Sequence, residues 1–358
     1  RAKFAVCGDQ EQTDKVLDAM RHGEGLPDLQ QVLTVDMKGM RHYSHAGLSS
    51  FEQAVAAGRD LARDPRQLAS FEAQLGAVLP EQDALIVYTS GTTGMPKGAR
   101  IAHRGIIHNA TQVGLVQKYA GRSMSVVCYL PLCHVAERLM SPVAQLVHGT
   151  VVYFAESIDT VTQNLREIGP GFFFGVPRIW EKLQQQIMIT SREARPWVRR
   201  LFEKALAVAE PIAERTIANG DRPVNWRDAA VAKLLRWLVF SNLLASVGLD
   251  RTWMAMTGGA AISPTVILFF RAMGLPIYQI YGMTESSGVT HAQCDGHARL
   301  GWCGPPLPKV VEQRLGNDGE LLVRGPIVFN GYLYDDDASA KALEGGWLHT
   351  GDIVEIDP

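Results

Sequence analysis

Tyr88-Thr-Ser-Gly-Thr-Thr-Gly-Met-Pro-Lys-Gly98 follows directly on the strand-like run Ala84–Tyr88. Small hydroxylated residues and glycines leave backbone N–H groups unshielded, and several hydroxyls with one lysine complete an anion site. Such a loop suits a polyphosphate. It is not a Walker loop, because Lys97 is followed by Gly98 and the G-x-x-x-x-G-K-[ST] spacing is absent. The plain alternative for the same residues is a flexible turn between a strand and a helix.

Outward from this loop, strand-like runs at Ala84–Tyr88, Ser125–Tyr129, Thr150–Phe154, Trp253–Thr257 and Pro276–Ile280 alternate with helical patterns. The helical patterns are His103–Val116, Val143–His148, Val161–Ile168 and Pro264–Met273. Alternation of this kind predicts an α/β fold of largely parallel sheets flanked by helices. Residues Glu181–Leu249 read differently, as a helical insertion rich in Arg, Lys, Glu, Ala and Leu, interrupted at Pro196, Pro211 and Asn219-Gly-Asp-Arg-Pro223. From Trp302 onward, glycines and prolines separate short alternating runs such as Glu320–Val323, which predicts a small β-subdomain. The expected division is therefore 1–301, α/β subdomains with the insertion at 181–249, and 302–358, the β-subdomain.

The 358 residues are 46% hydrophobic and 20% charged, enough for a sizeable core. A net charge of −2 and a pI near 6.6 give no overall attraction to nucleic acid or to an anionic surface. Cys7, Cys128, Cys133, Cys294 and Cys303 form no C-x-x-C pair, which argues against a zinc site or a disulfide framework and for a reducing, cytoplasmic setting. The longest apolar runs, Leu234–Phe240 and Val266–Phe270, are far short of the roughly 20 residues a membrane-spanning helix needs. The chain starts without Met at a charged edge followed by a strand, and stops in the strand-like Gly351-Asp-Ile-Val-Glu-Ile-Asp-Pro358, so both ends read as cut.

The segment Thr89–Gly98 resembles the signature loop of the adenylate-forming superfamily, which includes acyl-CoA synthetases, peptide-synthetase adenylation domains and luciferases. Three downstream segments agree in identity and order: Thr257-Gly-Gly-Ala-Ala261, Tyr281-Gly-Met-Thr-Glu285 and His349-Thr-Gly-Asp352. The resemblance implies part of the superfamily's N-terminal domain. It assigns ATP phosphates to Thr89, Ser90, Gly91, Thr92, Thr93, Gly94 and Lys97. It assigns adenine and acyl contacts to Gly258, Gly259, Ala260, Tyr281 and Gly282, the α-phosphate or substrate carboxylate to Thr284, and the ribose to Asp352. It implies magnesium at Glu285 with Thr92, and a place beside the acyl carboxylate for His134. Lys97, Thr284, Glu285 and His134 are thus the catalytic candidates. Taken singly, Thr284-Glu285 also reads as a helix cap, Thr350-Gly-Asp352 as a turn, and His134 as a structural histidine.

Gly175-Val-Pro-Arg-Ile-Trp180 resembles the segment carrying a gating tryptophan in long-chain acyl-CoA synthetases; a core tryptophan is the alternative for Trp180. His134 and Gly259 join it as acyl-binding candidates. The length of the insertion and the segments Tyr281–Gly288 and Gly301–Pro308 are also similar to the long-chain branch. The resemblance therefore implies a long-chain fatty acid–CoA ligase, AMP-forming, using ATP, Mg2+ and CoA. The alternatives are a sterol-derived acid, a carrier-protein acceptor, or a nucleotide-binding module without catalysis. Fatty acid and CoA are the implied partners, with no nucleic acid. A homodimer and peripheral membrane contact through Arg192, Arg195, Arg199 and Arg200 are open readings, the latter beside a merely solvated helix face. By the same comparison an N-terminal portion and the C-terminal domain with its second lysine are missing, so the 358 residues are expected to bind ATP but to adenylate poorly.

Overall fold

The computed structural model describes residues 2–22, 25–89, 95–116, 124–294, 296–309 and 311–356. Ser90–Gly94, which carry most of the expected phosphate loop, lie outside the described residues. Two compact units divide at Leu79/Pro80.

The first unit is an all-parallel sheet, β1 (Phe4–Cys7), β2 (Gln31–Thr34) and β3 (Leu48–Ser50), paired in that order, with helices α1 (Gln10–Arg21), α2 (Phe51–Leu61) and α3 (Pro65–Gly76). Asp9 caps α1, and Ser50 with Gln53 forms a reciprocal capping box on α2, so the sequence places its own helix starts. Cys7, Leu17 and Val32 form its small core.

In the second unit, β4 (Asp83–Thr89) pairs antiparallel with β5 (Lys97–Ala102), and α4 (His103–Val116) follows. A parallel pair, β6 (Ser125–Cys128) and β7 (Val151–Phe154), is joined through α5 (Val135–Arg138), a π-helical turn at Leu139–Val143 and α6 (Ala144–His148). The segment α7 (Val161–Ile168) then leads into β8 (Phe172–Gly175). The insertion is helical: α8 (Pro177–Glu193), α9 (Pro196–Ala218), α10 (Trp226–Leu235), a π-helical turn at Arg236–Phe240 and α11 (Ser241–Ala245). Pro196 opens α9 as expected, but Pro211 does not interrupt it. A proline forfeits one backbone bond in a helix; buried Ala209, Ile212 and Ala213 anchor the helix on both sides of it.

The central sheet has the order β11-β10-β9-β8. Its strands β8, β9 (Met254–Thr257) and β10 (Ile277–Met283) are parallel, with α12 (Pro264–Ala272) between the last two, and β11 (Gly288–Ala292) closes the edge antiparallel. Both β8 and β9 are buried at every position, as strands covered on both faces must be. Register sets Gly175 opposite Thr257 and Thr257 opposite Gln279, so the carboxyl ends of the parallel strands finish abreast. The antiparallel sheet β12 (Glu312–Leu315), β13 (Glu320–Arg324) and β14 (Leu348–Ile353), with α13 (Asp336–Ala342), completes the unit. Among the described residues no helix is long and apolar enough to cross a membrane.

Trp180 of α8 is wholly buried, its ring edge-on to Phe173 at 5.2 Å and to Phe270 at 5.0 Å. Its indole N–H donates to the Gly175 carbonyl at 3.0 Å and lies 3.4 Å from that of Met256. The substitution Trp180→Ala is expected to lower the stability of this unit by about 3–5 kcal/mol. A urea midpoint that shifts down with unchanged slope is the expected reading; an unmoved midpoint would contradict this packing.

Candidate active site

The chain leaves the carboxyl ends of β8, β9 and β10 in three ways, and each exit is forced. After β8, Val176-Pro177 starts α8 directly. After β9, Gly258 lies so close to Ile280 that an added Cβ would sit 2.9 Å from the Ile280 carbonyl oxygen, and Gly259 takes φ +83° with open space before it. Within β10 a bulge between Tyr281 and Gly282 turns the strand, and a Cβ on Gly282 would collide with the Gly288 carbonyl. The bulge re-aims Tyr281 and delivers Thr284 and Glu285 in a 3-10 turn.

Glu285 is only 8% exposed, and its Oε1 accepts the Tyr332 hydroxyl at 2.8 Å. Its backbone carbonyl accepts the Phe329 N–H. Residues 329–333 run as an added strand along β5: Arg100 N–H reaches the Gly331 carbonyl at 3.0 Å, and Leu333 N–H the Gly98 carbonyl at 2.8 Å. That pairing brings Lys97 over the Tyr332 ring, 5.3 Å from its centroid, and 3.8 Å from the Asp335 carboxylate. Thr89 closes the base of the loop with its hydroxyl 3.4 Å from the Lys97 carbonyl. Lys97 and Glu285, 188 residues apart in sequence, are thus both brought to Tyr332, Lys97 over its ring and Glu285 at its hydroxyl.

Tyr281 donates its hydroxyl to Asp352 at 2.5 Å. Burial pushes the Tyr281 phenol above its ordinary range, and the Asp352 carboxylate adds to the rise. Burial likewise raises Tyr332, with Glu285 next. Asp352 lies in β14 at a bulge tied down by Glu320, which accepts from Gly351 N–H at 2.7 Å and pairs with His349 at 2.9 Å. A small apolar cluster of Ala99, Val323, Phe329 and Leu348 has both Tyr281 and Tyr332 packed against it. A cavity of about 660 Å³ opens beside Tyr281, walled by His291, Arg299, Trp302, Gln313 and Ile356.

The other candidates lie elsewhere. His134 is exposed and caps α5, its Nδ1 accepting from Ala136 N–H at 3.2 Å; no hydrogen bond or ion pair joins it to Lys97 or Glu285. Its loop is anchored from below by Glu137, which is 2% exposed and accepts the N–H groups of Tyr129 and Leu130 and the Ser141 hydroxyl. Burial, with Glu137 nearby, pushes the Cys128 thiol up to about 12. Trp180 sits in the core under the ends of β8 and β9. Gly258 is buried, while Gly259 and Ala260 are exposed beyond it.

Tyr332, Asp335 and Glu137 escaped sequence reading. Nothing marks a lone tyrosine as a carboxylate partner 47 residues away, and an acidic residue such as Glu137 ordinarily reads as surface. Thr257 Oγ1 and Gln279 Oε1, opposite one another on β9 and β10, are buried and have no hydrogen-bond partner among the described residues. Such orphaned acceptors and donors at strand ends suit a polar ligand. Among the described residues no three His, Cys, Asp or Glu side chains gather as a ready-made metal site. One carboxylate, Glu285, together with substrate phosphates is the donor set that magnesium commonly uses.

The substitution Tyr332→Phe removes the hydroxyl that satisfies a nearly buried carboxylate. It is expected to cost about 1.5–3 kcal/mol of stability, read as a lower thermal midpoint without nucleotide. An unchanged midpoint would mean that Glu285 does not depend on Tyr332.

Residues 1–333 match the family model of the AMP-binding enzymes. The chain is 34% identical over 293 residues to a putative fatty-acid–CoA ligase, fadD11, of Mycobacterium tuberculosis, covering 80% of this chain and 50% of the relative. It is 35% identical over 293 residues to the long-chain-fatty-acid–CoA ligase ACSBG2 of Rattus norvegicus, covering 77% of this chain and 42% of that one. The chain thus spans about half the length of the curated relatives it matches. In fold it is similar to an anthranilate CoA ligase, AuaEII, in complex with anthranoyl-AMP, at a TM-score of 0.65 and 17% identity over 100% of this chain and 57% of that one. Apo MatB of Rhodopseudomonas palustris is similar at a TM-score of 0.65 and 18% identity, over 99% and 57% of the two chains. The chain belongs to the AMP-binding family of adenylate-forming enzymes.

Proposed function

We propose that this chain is the nucleotide- and acid-binding part of a long-chain fatty acid–CoA ligase. The observation that carries the reading is the convergence of Lys97 and Glu285 on Tyr332, with Tyr281 and Asp352 paired beside them. A carboxylate oxygen of the acid attacks the α-phosphorus of ATP, forming the acyl–O–P bond, while the bond from that phosphorus to the bridging oxygen breaks and pyrophosphate leaves. Both reactants are anions, so positioning and cationic charge lower the barrier. Lys97 supplies a cation at the loop that also contains Ser90, Gly91, Thr92, Thr93 and Gly94. Tyr281 presents a ring to adenine, and Asp352 exchanges its bond with Tyr281 for the ribose hydroxyls. Thr284 donates to the α-phosphate or the acid. Bound magnesium would neutralise phosphate charge, with Glu285 as its protein ligand. In the second step the CoA sulfur attacks the acyl carbon and AMP leaves.

The long-chain assignment rests on the named activity of the relatives and on the helical insertion. Trp180, bonded to the ends of β8 and β9, is read as the closed position of an acyl gate, with Gly259 and His134 near the acid's head. His134 needs its exposed loop to approach the site. The reaction is placed in the cytoplasm, and a sterol-derived acid or a carrier-protein acceptor is the competing substrate reading.

The test is acid-dependent exchange of labelled pyrophosphate into ATP by the complete natural protein, over short, medium, long and sterol-derived acids. Long acids alone should support exchange, and CoA should outcompete a carrier protein as acceptor. Glu285→Ala is expected to reduce exchange at least about a hundredfold while the protein stays folded. Exchange with short acids only would overturn the long-chain assignment, and ATP binding without any exchange would favour a non-catalytic module.

A further inference from the structure

The segment that brings Tyr332 to Glu285 carries a second polar residue of consequence. Three positions after Tyr332 the chain turns from the strand added to β5 into α13, with Tyr332 bridged to Asp335. Several bonds fix this turn. The Ser339 hydroxyl donates to the Asp335 carbonyl at 2.7 Å and accepts the Tyr332 N–H at 2.7 Å. Asp335 Oδ1 accepts the Ala338 N–H at 3.0 Å as the cap of α13. Gly331 takes φ +101°, and an added Cβ there would stand 2.9 Å from Ser339 Oγ. Tyr334 takes φ +57°, a left-handed backbone that a tyrosine adopts only where its surroundings impose it. Asp335 is thus held in place by its backbone and by one of its two carboxylate oxygens.

The other oxygen, Oδ2, lies 3.8 Å from Lys97 Nζ. One turn therefore meets both charges of the site, with a hydroxyl for Glu285 and, for Lys97, the Tyr332 ring and a carboxylate. The Lys97 and Asp335 side chains are 34% and 39% exposed, so solutes can reach the pair and its strength is modest. Asp336 and Asp337 follow in the first turn of α13, but no ion pair joins either of them to Lys97 among the described residues.

A polyphosphate that comes to Lys97 meets this arrangement twice over. It competes with the Asp335 carboxylate for the ammonium, and it is repelled by that carboxylate once beside it, the more strongly the less water lies between them. The turn is too well fixed for Asp335 to withdraw without breaking the cap of α13. We propose that Asp335 is the built-in counter-ion of Lys97 and lowers the affinity of this site for polyphosphate, thereby setting the ATP concentration at which it saturates. The inference rests on the phosphate-binding reading of Lys97.

The test is calorimetric binding of magnesium ATP, and separately of inorganic tripolyphosphate, to the 358-residue chain and to Asp335→Asn. Asparagine caps a helix as well as aspartate does, so this change removes the charge and keeps the turn. Asp335→Ser, which also caps, repeats the measurement in a second background. Each variant is expected to bind both ligands about two- to five-fold more tightly at low salt, and the gain should shrink as ionic strength rises. A tighter complex is the opposite of what damage to the turn would produce. Asp336→Asn, the same loss of charge one residue on, should gain less, and with Lys97→Gln already in place Asp335→Asn should gain nothing. Unchanged or weaker binding by the folded Asp335 variants would overturn the proposal. So would an equal gain from Asp336→Asn, or a gain that survives Lys97→Gln. Binding of neither ligand by any of these proteins would overturn the phosphate-binding reading as well, whereas binding that Asp335→Asn leaves unmoved overturns the counter-ion alone.

Discussion

The backbone bonds that hold Gly175, Thr257 and Gln279 abreast across β8, β9 and β10 are what the rest of the second unit depends on. Parallel strands can be joined only by crossovers on the faces of the sheet, so their carboxyl ends are left uncovered and point the same way. Every candidate residue of the central sheet lies within six positions of that line: Trp180 after β8, Gly258 to Ala260 after β9, and Tyr281 to Glu285 from the bulge in β10 onward. Trp180 seals the line from beneath, with its indole N–H on the last carbonyl of β8. The buried Thr257 Oγ1 and Gln279 Oε1, without a hydrogen-bond partner among the described residues, sit on the same line.

A second constraint comes from charge. Glu285 and Glu137 are nearly buried carboxylates, and an unpartnered carboxylate in such a place would be costly. Each is satisfied by donors from the chain: Tyr332 for Glu285, and two backbone N–H groups with Ser141 for Glu137. In the first case the donor belongs to a segment that extends β5, so satisfying the carboxylate also brings Lys97 to the site. In the second, the carboxylate fixes the loop that ends at His134.

The phosphate loop motif, the strand–helix alternation and the helical insertion were legible because each is a local pattern. Glycine content, hydroxyl spacing and apolar periodicity act over a few residues and need no partner. The prolines show the limit of local reading. Pro196 opens α9 as its fixed φ requires, whereas Pro211 lies inside the helix because buried alanines and Ile212 hold the turns on either side. Sequence alone weighs the lost hydrogen bond but not the packing that outweighs it.

By itself the sequence determined the family and the sheet class, because four ordered motifs and a local strand–helix alternation suffice for that. Only the tertiary structure decided which of the motif residues meet. Lys97, Tyr332 and Glu285 come together through the pairing of residues 329–333 with β5, and Tyr281 meets Asp352 through the packing of the β12–β14 sheet against the bulge in β10. Long-range pairings of this kind depend on register and on which faces are buried, and those quantities belong to the folded chain as a whole.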